Sequence, residues 1–320
     1  MSNHLASCGY LRGFTAADGK VAVVNVKSRQ LYCRRPENVA FRNYFWGREQ
    51  KLRDEVEGLL SRIEDHVPRI LDDLVRYGPP SHGSADRALL LQFLAMHFVR
   101  NTAWRALIER TLEHQIAVRG HHGPRWARLR EQLRADRYWI DTMLRQIPQV
   151  ASLLGSTQWA LLRFPHPWLA TCDQPLIPLA LLPQGARVPV GETPPLLETI
   201  EFRFVVNPSH ALILSWHDAP DWTAWAMADQ LLAAEINRSV VGRTDVEYFH
   251  RPDAKPPFVA PPWTPTDECN PISPRLDDGY WRETAVHSQR RRRADKLVLR
   301  AIEQDVSHQI ETVVVTAPAA

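Results

Sequence analysis

The stretch Leu89-Leu90-Leu91-Gln92-Phe93-Leu94-Ala95-Met96-His97-Phe98-Val99 constrains this chain more than any other. A helix that is apolar on nearly every side must be covered on nearly every side, which makes it central and buried rather than superficial. The pattern predicts a helix from about Ser84 to Arg119. A chain of 320 residues, 44% hydrophobic and 23% charged, has the material to build that cover as a globular protein. Arg100 falls on the same helical face as Phe93, Met96 and Leu107. A guanidinium there cannot discharge by losing a proton, so it needs an anionic partner. One reading is a structural ion pair with Glu57 or Glu64 of a neighbouring helix. The other is an arginine that orients a catalytic acid or grips an anionic ligand. His97, one turn earlier, reads as a core histidine.

Around this helix the apolar spacing changes in a definite order. Asp18-Gly19 signals a turn before the β-branched run Lys20 to Val26, and with Gln30-Leu31-Tyr32 this predicts a small N-terminal hairpin. From Glu49 onward Val56, Leu60, Ile63, Val67, Ile70 and Leu74 form the stripe of an amphipathic helix. Pro68 predicts a kink, or a break with Asp65 capping a second helix, and Gly78-Pro79-Pro80 ends it. A third helical stretch, Arg125 to about Val150, is more basic and is expected to be more exposed. From Gln158 the character becomes β, in short Pro-bounded segments. Ile200 to Val206 and Ala211 to Trp216 flank Asn207-Pro208-Ser209-His210 as a hairpin. Asp221 is expected to cap a helix through Ala224, Met227, Leu231, Ala234 and Val241, with Val246 to Phe249 as a last strand. The fold class is therefore α+β. Long helices of the N-terminal half pack on a mixed, mainly antiparallel sheet from the C-terminal half, and the small hairpin precedes them. Residues 1–250 form the core domain in this reading. Residues 251–293 form a Pro/Arg-rich linker, with eight prolines between Pro252 and Pro274 and four arginines at Arg290 to Arg293. Val298, Ile302, Val306 and Ile310 predict a short helix in 294–320, ahead of a flexible tail.

Several function classes are disfavoured. The net charge of +3 is nearly balanced, and the Arg290 to Arg293 run reads as solvated, with phosphate contact as the minority reading. Cysteines at 8, 33, 172 and 269 include no CxxC pair, as expected of a reduced cytoplasmic protein. Leu5-Ala6-Ser7-Cys8 matches the local pattern of a lipoprotein cleavage site, but no basic start and apolar run precede it. No apolar stretch approaches the ~20 residues of a membrane span. There is no GxxxxGK(S/T), GxGxxG or GxSxG motif, which argues against nucleotide motors, dinucleotide enzymes and ordinary α/β-hydrolases. His114, His121 and His122 have no third ligand at a familiar zinc spacing and read as part of a solvated loop.

The segment His166 to Leu179, HPWLATCDQPLIPL, sets Asp173 among apolar neighbours. A buried carboxylate is costly unless it is paired or well hydrogen-bonded. Asp173 either starts an Asx-type turn ahead of Pro175 or projects from a strand end into a site. Cys172 with His166 as base is a minor alternative, because no known cysteine-nucleophile sequence surrounds it.

Taken together, these segments resemble an uncharacterised bacterial family, domain of unknown function 4238. Its opening pattern NHYxPxFYLRxF corresponds to Asn3 to Phe14, with Ser7 in place of the proline. Its Pro-Glu-Asn-Val-Ala corresponds to Pro36 to Ala40, and its acid-bearing helix to the region of Arg62-Ile63-Glu64. Its FxAxQxxRTP corresponds to Phe93 to Thr102, with His97 for the glutamine, and its TSDNP to Thr171-Cys172-Asp173-Gln174-Pro175. Ile236-Asn237 fits a late helix. The resemblance implies that His4, Glu64, Arg100 and Asp173 belong together as catalytic candidates. It adds Arg12, Thr171, Cys172 and Asn237 as ligand-binding candidates. Such a set is expected to face one another and to serve a hydrolytic or nuclease-like reaction, with Mg²⁺ on the carboxylates. The alternatives are a non-enzymatic interaction module with a structural Arg–Asp network, or a protein that recognises nucleic acid or a phosphate-bearing ligand through Arg100 and Arg12.

Overall fold

The apolar run of the central helix meets a sheet of matching aromatic character. In the computed structural model, which describes residues 2–28, 30–43, 45, 50–101, 104–105, 131, 136–181, 187–189, 199–216, 221–225 and 230–257, it forms a helix over Ala85–Val99. The helices before it are Cys8–Leu11 (α1), Gln50–Glu64 (α2) and Val67–Tyr77 (α3), so it becomes α4. After it come Asp136–Gly155 (α5) and Gln230–Arg243 (α6). Ser84 caps α4, its Oγ accepting from Arg87 N at 3.2 Å. Buried Phe93 and Phe98 meet Phe204 and Phe202 edge to face, with ring centroids 6.1 and 5.8 Å apart. Each such ring contributes about 2 kcal/mol by leaving water.

The helix is shorter than its apolar pattern predicts. It ends at Val99, because Arg100 adopts a non-helical ψ of 58° and Asn101 Oδ1 accepts from Trp104 N at 2.8 Å. An asparagine that offers a side-chain oxygen to a backbone N–H three residues on acts as a new N-cap. The expected continuation to Arg119, the histidines at 114, 121 and 122, and the start of the third helix at Arg125 lie outside the described residues. So do Cys269, the linker beyond residue 257, Arg290 to Arg293 and the short helix of Val298 to Ile310. The described part of the third helix, α5, corrects the expectation of exposure: Trp139, Ile140, Met143, Val150 and Leu154 are buried. Pro68 stands in the first turn of α3, so the long stripe breaks rather than bends. The cap is His66 rather than Asp65, and it makes no side-chain cap bond.

Twelve strands are described: Ser2–His4 (β1), Val21–Asn25 (β2), Leu31–Arg34 (β3), Phe41–Asn43 (β4), Gln158–Arg163 (β5), Thr171–Cys172 (β6), Leu176–Leu181 (β7), Arg187–Pro189 (β8), Thr199–Asn207 (β9), His210–Ser215 (β10), Trp222–Trp225 (β11) and Glu247–His250 (β12). Among the described residues they form a six-stranded sheet of order β11-β5-β10-β9-β7-β8, a four-stranded sheet of order β3-β2-β12-β6, and the pair β1-β4. All pairings are antiparallel except that of β11 with β5. The expected N-terminal hairpin is present as β2–β3, and β12 extends it, pairing Glu247 with Asn25 and His250 with Ala22. Residues 21–34 and 247–250 are thus joined in one sheet.

Asp221 does not cap a helix as expected, because residues 222–225 are strand. Its Oδ1 accepts from Trp159 N at 2.8 Å and its Oδ2 pairs with Arg87. The Arg87 guanidinium also lies 3.9 Å over the Trp159 ring, a cation–π contact that ties the start of α4 to β5. A second buried arginine, Arg203 on β9, is held by Glu201 and Glu235, each at 2.6 Å, and by Ser239 at 3.1 Å.

Candidate functional site

The N-terminal segment gathers three of the four catalytic candidates. β1 pairs with β4, placing His4 opposite Phe41, and Leu5 N donates to Ala40 O. α1 then packs on the start of α3. A Cβ on Gly9 would lie 3.2 Å from Pro68 Cγ, so glycine permits this approach. Arg100, whose side chain is 1% exposed, donates from Nη1 to Glu64 Oε1 and from Nη2 to Leu5 O, both at 3.1 Å. Cys8 Sγ lies 3.6 Å from the His4 ring nitrogens and 3.6 Å from Pro36 O, to which it donates. Burial first, then the carboxylates of Glu37 and Glu64, push the Cys8 thiol up to about 11, against the pull of Arg12 and Arg100. At neutral pH it is a thiol, and a thiol is a poor nucleophile.

Asp173 takes a different set of partners. Its Oδ1 accepts from Asp245 N at 3.0 Å, and its Oδ2 from Val246 N at 2.7 Å and Glu247 N at 3.2 Å. These donors are 72 to 74 residues away, so this is not a local Asx turn. The carboxylate fixes the entry into β12 from the end of β6. Among the described residues no hydrogen bond or ion pair joins it to Arg100, and the expected facing of the two is corrected by Arg100 taking Glu64 instead. Burial pushes the Asp173 carboxyl up to about 7, although the three N–H groups draw it down. Charged side chains nearby are Asp245, which adds to the upward push, and buried Arg243.

The ligand-binding candidates around Asp173 are turned inward. The Thr171 hydroxyl donates to the Tyr10 hydroxyl oxygen at 2.7 Å, while Tyr10 donates its own hydrogen to Val205 O and stacks on Phe204. Cys172 is fully buried, donates to Gln174 O at 3.2 Å, and has its thiol pushed far up by burial. His166 is exposed against Trp168. Asn237 acts as a surrogate strand partner: Oδ1 accepts from Ala170 N at 2.9 Å and Nδ2 donates to Trp168 O at 2.8 Å. Four buried polar side chains therefore serve the main chain or one another.

Arg12 leads to an open cleft among the described residues. A cleft of about 560 Å³ lies between the 3₁₀ turn Arg12–Phe14, the start of α3, the β9–β10 turn and the residues after β12. Its wall includes Arg12, Asp72, Ser209, His210 and Arg251. Arg12 pairs with Glu37 at 2.9 Å, the two side chains 66% and 49% exposed, and Arg251 pairs with Asp253 at 2.7 Å, 41% and 57% exposed. Exposed pairs of this kind are worth only about 0–1 kcal/mol, so both guanidinium groups can exchange partners. Gly13 leaves room at the wall, where an added Cβ would meet only Asn207 Cβ and Val206 O, each at 3.9 Å. Sequence reading missed Ser209, His210 and Arg251 as site residues. Asn207-Pro208-Ser209-His210 read as a plain turn, and its polar residues flanking a proline were the only signal.

For a cation the fit is poor. Among the described residues no group of three or more His, Cys, Asp or Glu side chains is placed to hold a metal. Glu64 is engaged by Arg100, and both oxygens of Asp173 by backbone N–H groups. Nor is any described helix long and apolar enough to cross a membrane. A family model described as "Protein of unknown function (DUF4238)" matches residues 3–252. No curated protein and no solved structure matches the chain.

Proposed function

The chain belongs to the DUF4238 family, and we propose that it binds a small phosphate-bearing ligand in the cleft beside Arg12. The observation that carries this reading is the pair of arginines, Arg12 and Arg251, on the wall of one cleft and each held, among the described residues, by an exposed carboxylate. A phosphate accepts two parallel bonds from a guanidinium, a stronger arrangement than a solvated carboxylate pair provides. The volume of about 560 Å³ suits a ligand of sugar-phosphate or nucleotide size.

A hydrolytic or nuclease-like reaction with Mg²⁺ is the weaker reading. It needs Glu64 and Asp173 on one ion, and each carboxylate already has its own partners. The Arg100–Glu64 pair fits the structural role that an interaction module would give it. A cytoplasmic setting fits free Cys8, Cys33 and Cys172.

Calorimetric titration with propyl phosphate tests the proposal. The parent is expected to bind, and Arg12→Gln with Arg251→Gln to lose at least tenfold in affinity, about 1.4 kcal/mol. Equal binding by parent and double variant would place the anion elsewhere.

A further inference from the structure

The sheet of order β3-β2-β12-β6 ends on β3, and among the described residues no strand pairs with its outer side. Asn25 N donates to Gln30 O at 3.0 Å and Val26 N to Val246 O at 2.9 Å, so successive residues of β2 bond to β3 and to β12 in turn. Carried along the register, that alternation directs the main chain of Tyr32 and Arg34 to β2, opposite Val23 and Val21. The N–H and C=O groups of Leu31 and Cys33 therefore point outward, with no strand to meet them among the described residues. Both side chains are exposed as well, Leu31 at 64%. Exposed cations mark the two ends of this edge, Lys27 in the β2–β3 turn and Arg34 with Arg35 at the end of β3. Arg34 lies 5.9 Å over the Tyr32 ring. Glu37, close enough to feel the charge of Arg35, is engaged by Arg12, and Glu247 by the Tyr32 hydroxyl and Ala40 N.

A row of like charges on a sheet edge repels a second copy of the same edge and admits a strand of the opposite sign. We propose that β3 is the docking site for an extended acidic segment of a partner protein, which adds a fifth strand to this sheet. Its main chain bonds to the outward groups of Leu31 and Cys33, which gives affinity without regard to sequence. An apolar side chain covers Leu31, and acids at the two ends meet Lys27 and the Arg34–Arg35 pair, which gives selectivity. This surface works whether or not the cleft takes an anion.

The test uses the full chain and the fluorescein-labelled peptide DEVTVDE, followed by anisotropy at low salt and by amide hydrogen exchange. In the free protein the Leu31 and Cys33 amides are expected to exchange about tenfold faster than those of Tyr32 and Arg34, which β2 already holds. Saturating peptide is expected to slow the first two about tenfold and leave the second two unchanged, an alternation that a loose charge contact would not produce. The same peptide N-methylated at alternate residues keeps its charges and loses the N–H groups of one side, and is expected not to bind. Lys27→Glu, Arg34→Glu and Arg35→Glu together are expected to weaken the parent peptide about tenfold, and high salt to weaken it similarly. No binding by the parent peptide, equal binding by the N-methylated peptide, or an unweakened triple variant would each overturn the proposal. So would Leu31 and Cys33 amides already protected in the free chain, whether by its own residues or by a second copy.

Discussion

Arg100 Nη1 stands 3.1 Å from Glu64 Oε1 at the end of α2, and the pair is lopsided: the arginine side chain is 1% exposed and the glutamate 23%. Losing either partner therefore has different consequences. After Arg100→Met the carboxylate can turn to water. After Glu64→Leu the guanidinium stays buried and keeps, among the described residues, the hydrogen bond to Leu5 O.

Glu64→Leu should consequently cost about 3–5 kcal/mol, the range for an uncompensated buried charge, and Arg100→Met less than that. Thermal melts of both variants check the order. Equal losses would mean that Glu64 is as confined as its partner.

Asp173 has a raised pKa in the fold, about 7 against an ordinary 3.8. Between those values the native protein holds a proton that the unfolded chain has released. Stability from this group should therefore decline as pH rises from about 4 to 7. Asp173→Asn lacks that slope. It also faces an amide NH₂ toward at least one of the three N–H donors, at a cost of about 1–3 kcal/mol. Chemical denaturation of parent and variant across this range measures both effects.

His97 works in the opposite direction. It is buried beside Arg100, T-shaped against Phe93 at 4.5 Å, and burial and then the Arg100 charge hold its pKa well below 6.5. The unfolded chain takes up a proton below pH 6.5 that the native imidazole refuses, so this stability is present above 6.5 and lost as pH falls. His97→Gln should flatten the fall in melting temperature below pH 6.5. An unchanged acid slope would shift the effect to His210, itself held near 4.

Gly13 tests the cleft by shape rather than charge. Gly13→Leu adds a side chain at the wall where the nearest atoms are 3.9 Å from a Cβ. It should abolish phosphate binding and leave the melting temperature within a few degrees of the parent. Undiminished binding would put the ligand away from this wall.

Local signals were legible in the sequence where short-range spacing decided the outcome. Pro68 broke the α2–α3 stripe, Asp18-Gly19 preceded the β2–β3 hairpin, and the change of period near Gln158 coincided with the start of β5. Long-range polar pairing was legible for Arg100, whose reading named Glu64 as a partner, but not for the buried carboxylates that follow. Asp221 looked like a helix cap because its partner Arg87 is 134 residues away. Asp173 looked like a turn former or a catalytic acid because its donors lie beyond residue 244. Glu201 and Arg203 carried a usable hint, since charges two apart in a strand share a face, and here Phe202 and Phe204 occupy the other. Of the four family-motif candidates, His4, Glu64 and Arg100 gather near Cys8, while Asp173 holds the start of β12 through its backbone.

The most direct test of the central claim is an amide ¹H–¹⁵N titration of the whole chain with glycerol phosphate. Phosphate-ligand binding in the cleft predicts saturable shifts concentrated at Arg12, Gly13, Ser209, His210 and Arg251, with Cys8, Glu64 and Asp173 unmoved. Shifts concentrated instead at His4, Cys8 and Glu64, or none that saturate, would contradict it.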